Sequence, residues 1–131
     1  MTLDRPVRVL VAENDERLRS SLRTLLEQEP VHIVLRESSD LEGFVTQAGQ
    51  FRPHLVLLDW ELPGRPAAAL LYALRGPSAG PRVIVLSRRP ESESAALSIG
   101  ADAFVSKGEA PDRLLTAFRQ LVENVAVEGR I

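Results

Sequence analysis

A chain of 131 residues with 44% hydrophobic and 26% charged residues suits one folded domain with a single core. A net charge of −2 gives no general attraction to nucleic acid, and the lack of cysteine excludes disulfides and thiol chemistry and fits a cytoplasmic setting. No apolar run approaches the roughly 20 residues of a membrane-spanning helix, and the opening Met1-Thr2-Leu3-Asp4-Arg5-Pro6 lacks the apolar core of a secretory signal.

Val7-Arg8-Val9-Leu10-Val11-Ala12 is rich in β-formers and reads as the first strand, with Glu13-Asn14-Asp15-Glu16 at its end. Leu18, Leu22, Leu25 and Leu26 then recur as one helical stripe, and Pro30 stops that helix. Val31-His32-Ile33-Val34-Leu35 reads as the second strand. Ser38-Ser39-Asp40 offers caps for a weaker helix from Leu41 to Gln50, interrupted by Gly43. After Pro53 comes Leu55-Val56-Leu57-Leu58, an apolar run without alternation that runs straight into Asp59. That pattern marks a strand covered on both faces, as in a parallel sheet, with Asp59 at its carboxyl end. A Pro63-Gly64 turn follows, then a helix over Pro66 to Arg75 ended by Gly76-Pro77. Arg82-Val83-Ile84-Val85-Leu86-Ser87 is the fourth strand, Glu91 to Ile99 a short helix closed by Gly100, and Ala101 to Ser106 the fifth strand, followed by Lys107. Pro111 opens the last helix, whose buried stripe is Leu114, Leu115, Phe118, Leu121, Val122 and Val125, and Glu128 to Ile131 reads as a frayed tail.

Five strands alternating with five helices predict an α/β domain with a parallel sheet and right-handed crossovers. No linker or shift in composition divides the chain, so residues 1–131 read as one domain, its core spanning about 6–126. In a parallel sheet the strand ends carrying Glu13-Asn14, Asp59, Ser87 and Lys107 share one edge, where ligands of open α/β sheets gather. Carboxylates there can hold magnesium, which takes oxygen ligands and usually only one or two protein carboxylates. A lysine and a hydroxyl can bind phosphoryl oxygens, and Asp59 can then attack phosphorus as a carboxylate nucleophile. Each residue alone has a plainer explanation: Asp59 as a turn residue, Phe104 as a core aromatic, Trp60 as loop packing.

Together these segments resemble the response-regulator receiver domain over essentially the whole chain. Val9-Leu10-Val11-Ala12-Glu13-Asn14 resembles its first strand and acidic pair, and Leu55-Val56-Leu57-Leu58-Asp59 with Leu62-Pro63-Gly64 its phosphoacceptor segment. Val83-Ile84-Val85-Leu86-Ser87 resembles the strand ending in the switch hydroxyl, and Gly100-Ala101-Asp102-Ala103-Phe104-Val105-Ser106-Lys107-Gly108 the segment with the switch aromatic and the essential lysine. The wording is closest to receivers that precede a helix-turn-helix output domain. The resemblance implies a flavodoxin-like fold with strand order 2-1-3-4-5. It implies Asp59 as phosphoacceptor, Ser87 and Lys107 as phosphoryl ligands, and Ser87 with Phe104 as the switch pair. It implies magnesium held by Glu13 through water, by Asp59, by the residue at Asn14 and by the backbone carbonyl of Glu61. The implied partner is a sensor histidine kinase or phosphotransfer protein, and the implied chemistry is transfer to Asp59 followed by slow hydrolysis. Such a domain assists its own phosphorylation and dephosphorylation and is not otherwise an enzyme. Its output face is the fourth helix, fifth strand and fifth helix, through which it can dimerise, with no direct binding of nucleic acid or membrane.

Several positions depart from the family pattern. Asn14 stands where the family has a metal-ligating aspartate, so one negative charge is lost and magnesium binding is expected to weaken. Asp15 is expected to point away along the first helix. Arg88 follows Ser87 where a small residue is usual, and Glu61 can overlook the site, so Arg88 or Arg89 is expected to pair with Glu61 and partly lid the pocket, unless both are simply solvated charges. These departures support a second reading, a receiver-fold interaction module that does not depend on phosphate. A phosphatase using Asp59 is disfavoured, because the chain is too short for a substrate cap. His32 and His54 lack metal-ligand spacing and read as structural or surface residues, and Arg17, Arg19 and Arg23 as a solvated helix face.

Overall fold

A computed structural model describes residues 5–64, 66–74, 80–109 and 111–131. The chain runs β1 (Val7–Ala12), α1 (Glu16–Glu27), β2 (Ile33–Ser38), α2 (Leu41–Phe51), β3 (Leu55–Asp59), α3 (Ala67–Leu74), β4 (Arg82–Ser87), α4 (Glu93–Ile99), β5 (Ala103–Ser106) and α5 (Pro111–Val127). A single 3-10 turn at Pro90–Ser92 leads into α4. The five strands form one sheet in the order β2-β1-β3-β4-β5, with every neighbouring pair parallel. This is the flavodoxin-like (βα)5 architecture expected from the alternation of elements.

Alternation along the strands divides the core into two layers, because successive side chains leave a strand on opposite faces. Val7, Val9, Val11, Leu55, Leu57, Ile84, Leu86 and Val105 face α1 and α5, meeting Leu22, Leu26, Leu114, Phe118 and Val122. Leu10, Ala12, Val56, Leu58, Val83, Val85 and Phe104 face the other way, against Phe44 and Phe51 of α2, Leu70 and Leu71 of α3 and Ala96 of α4. Both faces of β3 are therefore covered, which explains its uninterrupted apolar sequence.

Several boundaries differ from the sequence reading. The second strand was expected at residues 31–35 and lies at Ile33–Ser38, because Arg36, Glu37 and Ser38 are drawn into register with Leu10, Val11 and Ala12. As an edge strand with alternating exposure it tolerates polar residues that a central strand would not. The fifth strand begins at Ala103, because the Ala101 amide completes the end of α4 by donating to the Ala96 carbonyl at 3.1 Å. The C-terminal tail is held in place: the Arg130 amide donates to the Val125 carbonyl, its guanidinium donates to the Gly80 carbonyl at 2.9 Å, and Ile131 packs on the core. The expected helix stop at Gly76-Pro77, and Arg75 before it, lie outside the described residues.

Local signals position the loops of the carboxyl edge. Asp15 caps α1, its Oδ1 accepting the amides of Arg17 and Leu18 at 2.9 and 3.1 Å, so it is committed to the helix as expected. Asp40 caps α2 through the Gly43 amide at 2.8 Å. Gly64 adopts φ +119°, and a Cβ there would lie 2.5 Å from the Leu41 Cβ. Only glycine lets the turn after β3 pack so closely on the start of α2.

Candidate functional site

The register of the sheet brings Glu13, Asp59, Ser87 and Lys107 to one edge. β1 ends just before Glu13, Asp59 ends β3, Ser87 ends β4, and Lys107 follows β5. The Lys107 amide donates to the Ser87 carbonyl at 2.8 Å and the Trp60 amide to the Leu86 carbonyl at 2.7 Å, which locks the three loops together.

At the centre, the Lys107 ammonium lies 2.9 Å from Asp59 Oδ1 and 3.0 Å from Glu13 Oε1. It donates to Asp59 Oδ1 and, at 3.1 Å, to Glu13 Oε2. Asp59 is 2% exposed and Glu13 fully buried. The backbone completes the cradle. The Glu61 amide donates to Asp59 Oδ1 at 2.9 Å, the Asn14 amide to Asp59 Oδ2 at 3.3 Å, and the Asp15 amide to Glu13 Oε2 at 3.0 Å. Asp59 Oδ1 is thus held by an ammonium and an amide, whereas among the described residues Oδ2 has one long contact. Burial pushes the Glu13 carboxyl above the usual carboxylate range, and the Asp59 charge adds to that shift, while the Asp15 amide and Lys107 oppose it.

The second set of contacts centres on Ser87, which is fully buried. Its Oγ donates to Glu61 Oε2 at 2.7 Å and accepts the Arg89 amide at 3.0 Å. Glu61 Oε1 accepts the backbone amide of Arg88 at 3.0 Å. The arginine–glutamate lid expected from the sequence does not form among the described residues. Among the described residues no ion pair joins Glu61 to either guanidinium, because the backbone amide of Arg88 and the Ser87 hydroxyl already satisfy the carboxylate. The Arg88 guanidinium instead reaches Asp15 Oδ2 at 3.7 Å across the rim, and Arg89 takes part through its main chain.

Phe104 is buried with the layer that contains Ala96 and Ala101, so its ring points inward, and Trp60 is half-buried against the same layer. Arg19 is a contributor that the helix stripe concealed. The sequence pattern places it on a solvated face, yet its Nη1 donates to the Glu13 carbonyl at 2.8 Å and its Nε lies 3.4 Å from Glu37. Arginine six residues beyond a strand-end acid, in the first turn or so of the next helix, is the signal that could have found it. Arg23 pairs with Glu37 through two hydrogen bonds. Of the two histidines, His54 is structural, as expected: it lies at the opposite edge of the sheet, where its Nδ1 accepts the Arg8 amide at 3.0 Å.

A divalent cation fits the residues present. Two carboxylates face one ammonium, leaving a net negative charge, and Glu13 Oε1 is buried without a hydrogen-bond donor of good geometry. Among the described residues no group of three acidic, histidine or cysteine side chains converges, consistent with an amide at position 14. Asn14→Asp is expected to tighten magnesium binding by roughly tenfold or more, since it returns a charge to a site of low polarity. Quenching of Trp60 during magnesium titration reads this out, and equal affinity for the two proteins would remove Asn14 from the site.

Residues 9–119 match the model of the response regulator receiver domain. The chain is 31% identical over 122 residues to the nitrate/nitrite response regulator protein NarL of Escherichia coli, covering 92% of this chain and 56% of NarL. It is 34% identical over 117 residues to the KDP operon transcriptional regulatory protein KdpE of Escherichia coli, covering 86% of this chain and 51% of KdpE. It therefore spans about half the length of the curated relatives it matches. Among solved structures it is similar to the response regulator protein TrrA of Thermotoga maritima in complex with Mg2+-BeF, with a TM-score of 0.77 and 24% identity over 88% of this chain and 98% of TrrA. Both the match over most of the chain and the strand-edge cluster lead to one conclusion: the chain belongs to the response regulator receiver domains of two-component signalling.

Proposed function

We propose that Asp59 accepts a phosphoryl group from the phosphohistidine of a sensor histidine kinase or phosphotransfer protein. The observation that carries this reading is the Lys107 ammonium bridging buried Asp59 and Glu13 where the strands end. Asp59 Oδ2, the less constrained oxygen, forms the bond to phosphorus. The phosphorus–nitrogen bond breaks, and the imidazole leaves with its electron pair. Lys107 keeps Oδ1 oriented and offsets charge on the transferring group, and the Ser87 hydroxyl takes one of its oxygens. Magnesium, when bound by Glu13, Asp59, Asn14 and the Glu61 carbonyl, would neutralise phosphoryl charge. Hydrolysis of the acyl phosphate later returns the carboxylate, with the domain's own residues assisting.

Phosphorylation brings about −1.5 to −2 charge and three acceptor oxygens to this edge. Drawing Ser87 toward them shifts the end of β4, which pairs with Ser106 two residues beyond buried Phe104 and so couples the site to the face formed by α4, β5 and α5. That face is where a partner or second copy would bind, and exposed Leu97 gives it an apolar contact. Beside Lys107 an apolar cleft of about 150 Å³, lined by Leu18, Leu22, Leu25, Val105, Pro111 and Leu114, suits one apolar side chain of the phosphodonor. No described helix is long and apolar enough to cross a membrane, and we place the exchange in the cytoplasm, without direct nucleic acid contact by this domain.

Intact-mass measurement after acetyl phosphate and magnesium treatment tests the reading. One phosphoryl adduct is expected on the wild type and none on Asp59→Asn. A wild-type mass and Trp60 emission that both stay unchanged would overturn it in favour of a phosphate-independent interaction module.

A further inference from the structure

Glu61 makes a pair of contacts that the expected roles do not use. Its side chain reaches from β3 across to the end of β4, where Oε2 accepts the Ser87 hydroxyl at 2.7 Å and Oε1 the Arg88 amide at 3.0 Å. An anion thus already sits on two adjacent donors, one of them fully buried, beside the acceptor carboxylate. The tether is short: the Glu61 amide itself donates to Asp59 Oδ1 at 2.9 Å. A hydroxyl has one proton to give. The alternative acceptor of the Ser87 proton, the Arg89 carbonyl, is longer at 3.3 Å, so the carboxylate takes it.

From these contacts we infer that the Glu61 carboxylate is an internal occupant of the subsite that a phosphoryl oxygen on Asp59 would fill, and that the two anions compete for the Ser87 hydroxyl and the Arg88 amide. This rests on the acceptor reading of Asp59 and deepens it. The occupant is tied to the chain, so its effective concentration is high and constant, and phosphorylation must displace it. Once displaced, Glu61 is freed toward the rim. Glu61 is therefore a positioning residue that sets how readily the site accepts a phosphoryl group by holding the Ser87 hydroxyl before that group arrives.

The test uses the whole chain and two variants. Glu61→Ala removes the carboxylate, and Glu61→Asp keeps the charge but is one methylene too short to span both donors. Neither touches the core, since Glu61 is an exposed residue. In the free protein the Arg88 amide resonance is expected to shift in both variants. At saturating magnesium, beryllofluoride, a non-covalent stand-in for the phosphoryl group, is expected to bind both variants roughly tenfold more tightly than wild type, the scale of one charge-assisted hydrogen bond. An effect of charge alone predicts instead that Glu61→Asp binds like wild type, and that result overturns the inference. So does an Arg88 amide that is unmoved in both variants. Equal beryllofluoride affinities in all three proteins overturn the competition while leaving the acceptor reading intact. Failure of all three to bind beryllofluoride removes the acceptor reading itself, and the competition with it.

Discussion

Replacing Lys107 with methionine is expected to destabilise the domain by about 3–5 kcal/mol, the range for removing one partner of a buried ion pair. The geometry sets the size of the effect. Asp59 and Glu13 are both buried, and the Lys107 ammonium, within 3.0 Å of each, is the positive charge between them. Without it, two carboxylates face each other with, among the described residues, the amides of residues 14, 15 and 61 as donors. Methionine fills a similar volume, so lost packing adds little. Asp59→Asn, by contrast, leaves Lys107 paired with Glu13 and is expected to cost far less. The double variant Lys107→Met, Asp59→Asn is expected to regain much of the loss, because one of the two opposed charges is gone. Urea unfolding of the four proteins in metal-free buffer gives the cycle. A Lys107→Met penalty below about 1 kcal/mol, the scale of a solvated surface pair, would sink the claim that this cluster is electrostatically tight.

Legibility in the sequence followed the physical range of each signal. The central strands announced themselves because both faces are buried, so Leu55 to Leu58 and Val83 to Leu86 carry unbroken apolar runs. Once the alternation of strands and helices was read, the polar residue at each strand end had to converge on one edge. β2 was misplaced by two residues at its start and three at its end because an edge strand mixes exposed polar residues with half-buried apolar ones, and pairing with β1 rather than local composition sets its end. The tail was read as frayed because its contacts to Gly80 and the core are long-range. Contact between the fourth-strand loop and Glu61 was anticipated, but its chemistry was not. A guanidinium was expected to bind the carboxylate, whereas the backbone amide of Arg88 and the buried hydroxyl of Ser87 do so. Backbone donors carry no residue code, so a sequence cannot advertise them.

At the far edge of the sheet, acidification is expected to weaken the fold through His54. The ring is 6% exposed, and burial, reinforced by the charges of Arg8 and Arg130, lowers its pKa from the ordinary 6.5 to about 4, with a hydrogen bond to the Arg130 backbone working the other way. The neutral form is the one the structure needs, because Nδ1 accepts the Arg8 amide at 3.0 Å. Between the two values the unfolded chain binds a proton that the native chain refuses. His54 therefore contributes its full share above pH 6.5, and that share is lost as the pH falls toward 4. The loss is roughly 2 kcal/mol between about pH 7 and about pH 5. Carboxylates titrate over part of the same range, so the diagnostic is a difference. His54→Gln has no titrating ring, and its unfolding free energy is expected to lie below that of the wild type near neutrality and to approach it on acidification. Two stability curves that stay parallel from neutrality down to about pH 5 would show that His54 carries its proton equally in both states, and that the buried ring is not what makes the far edge acid-sensitive.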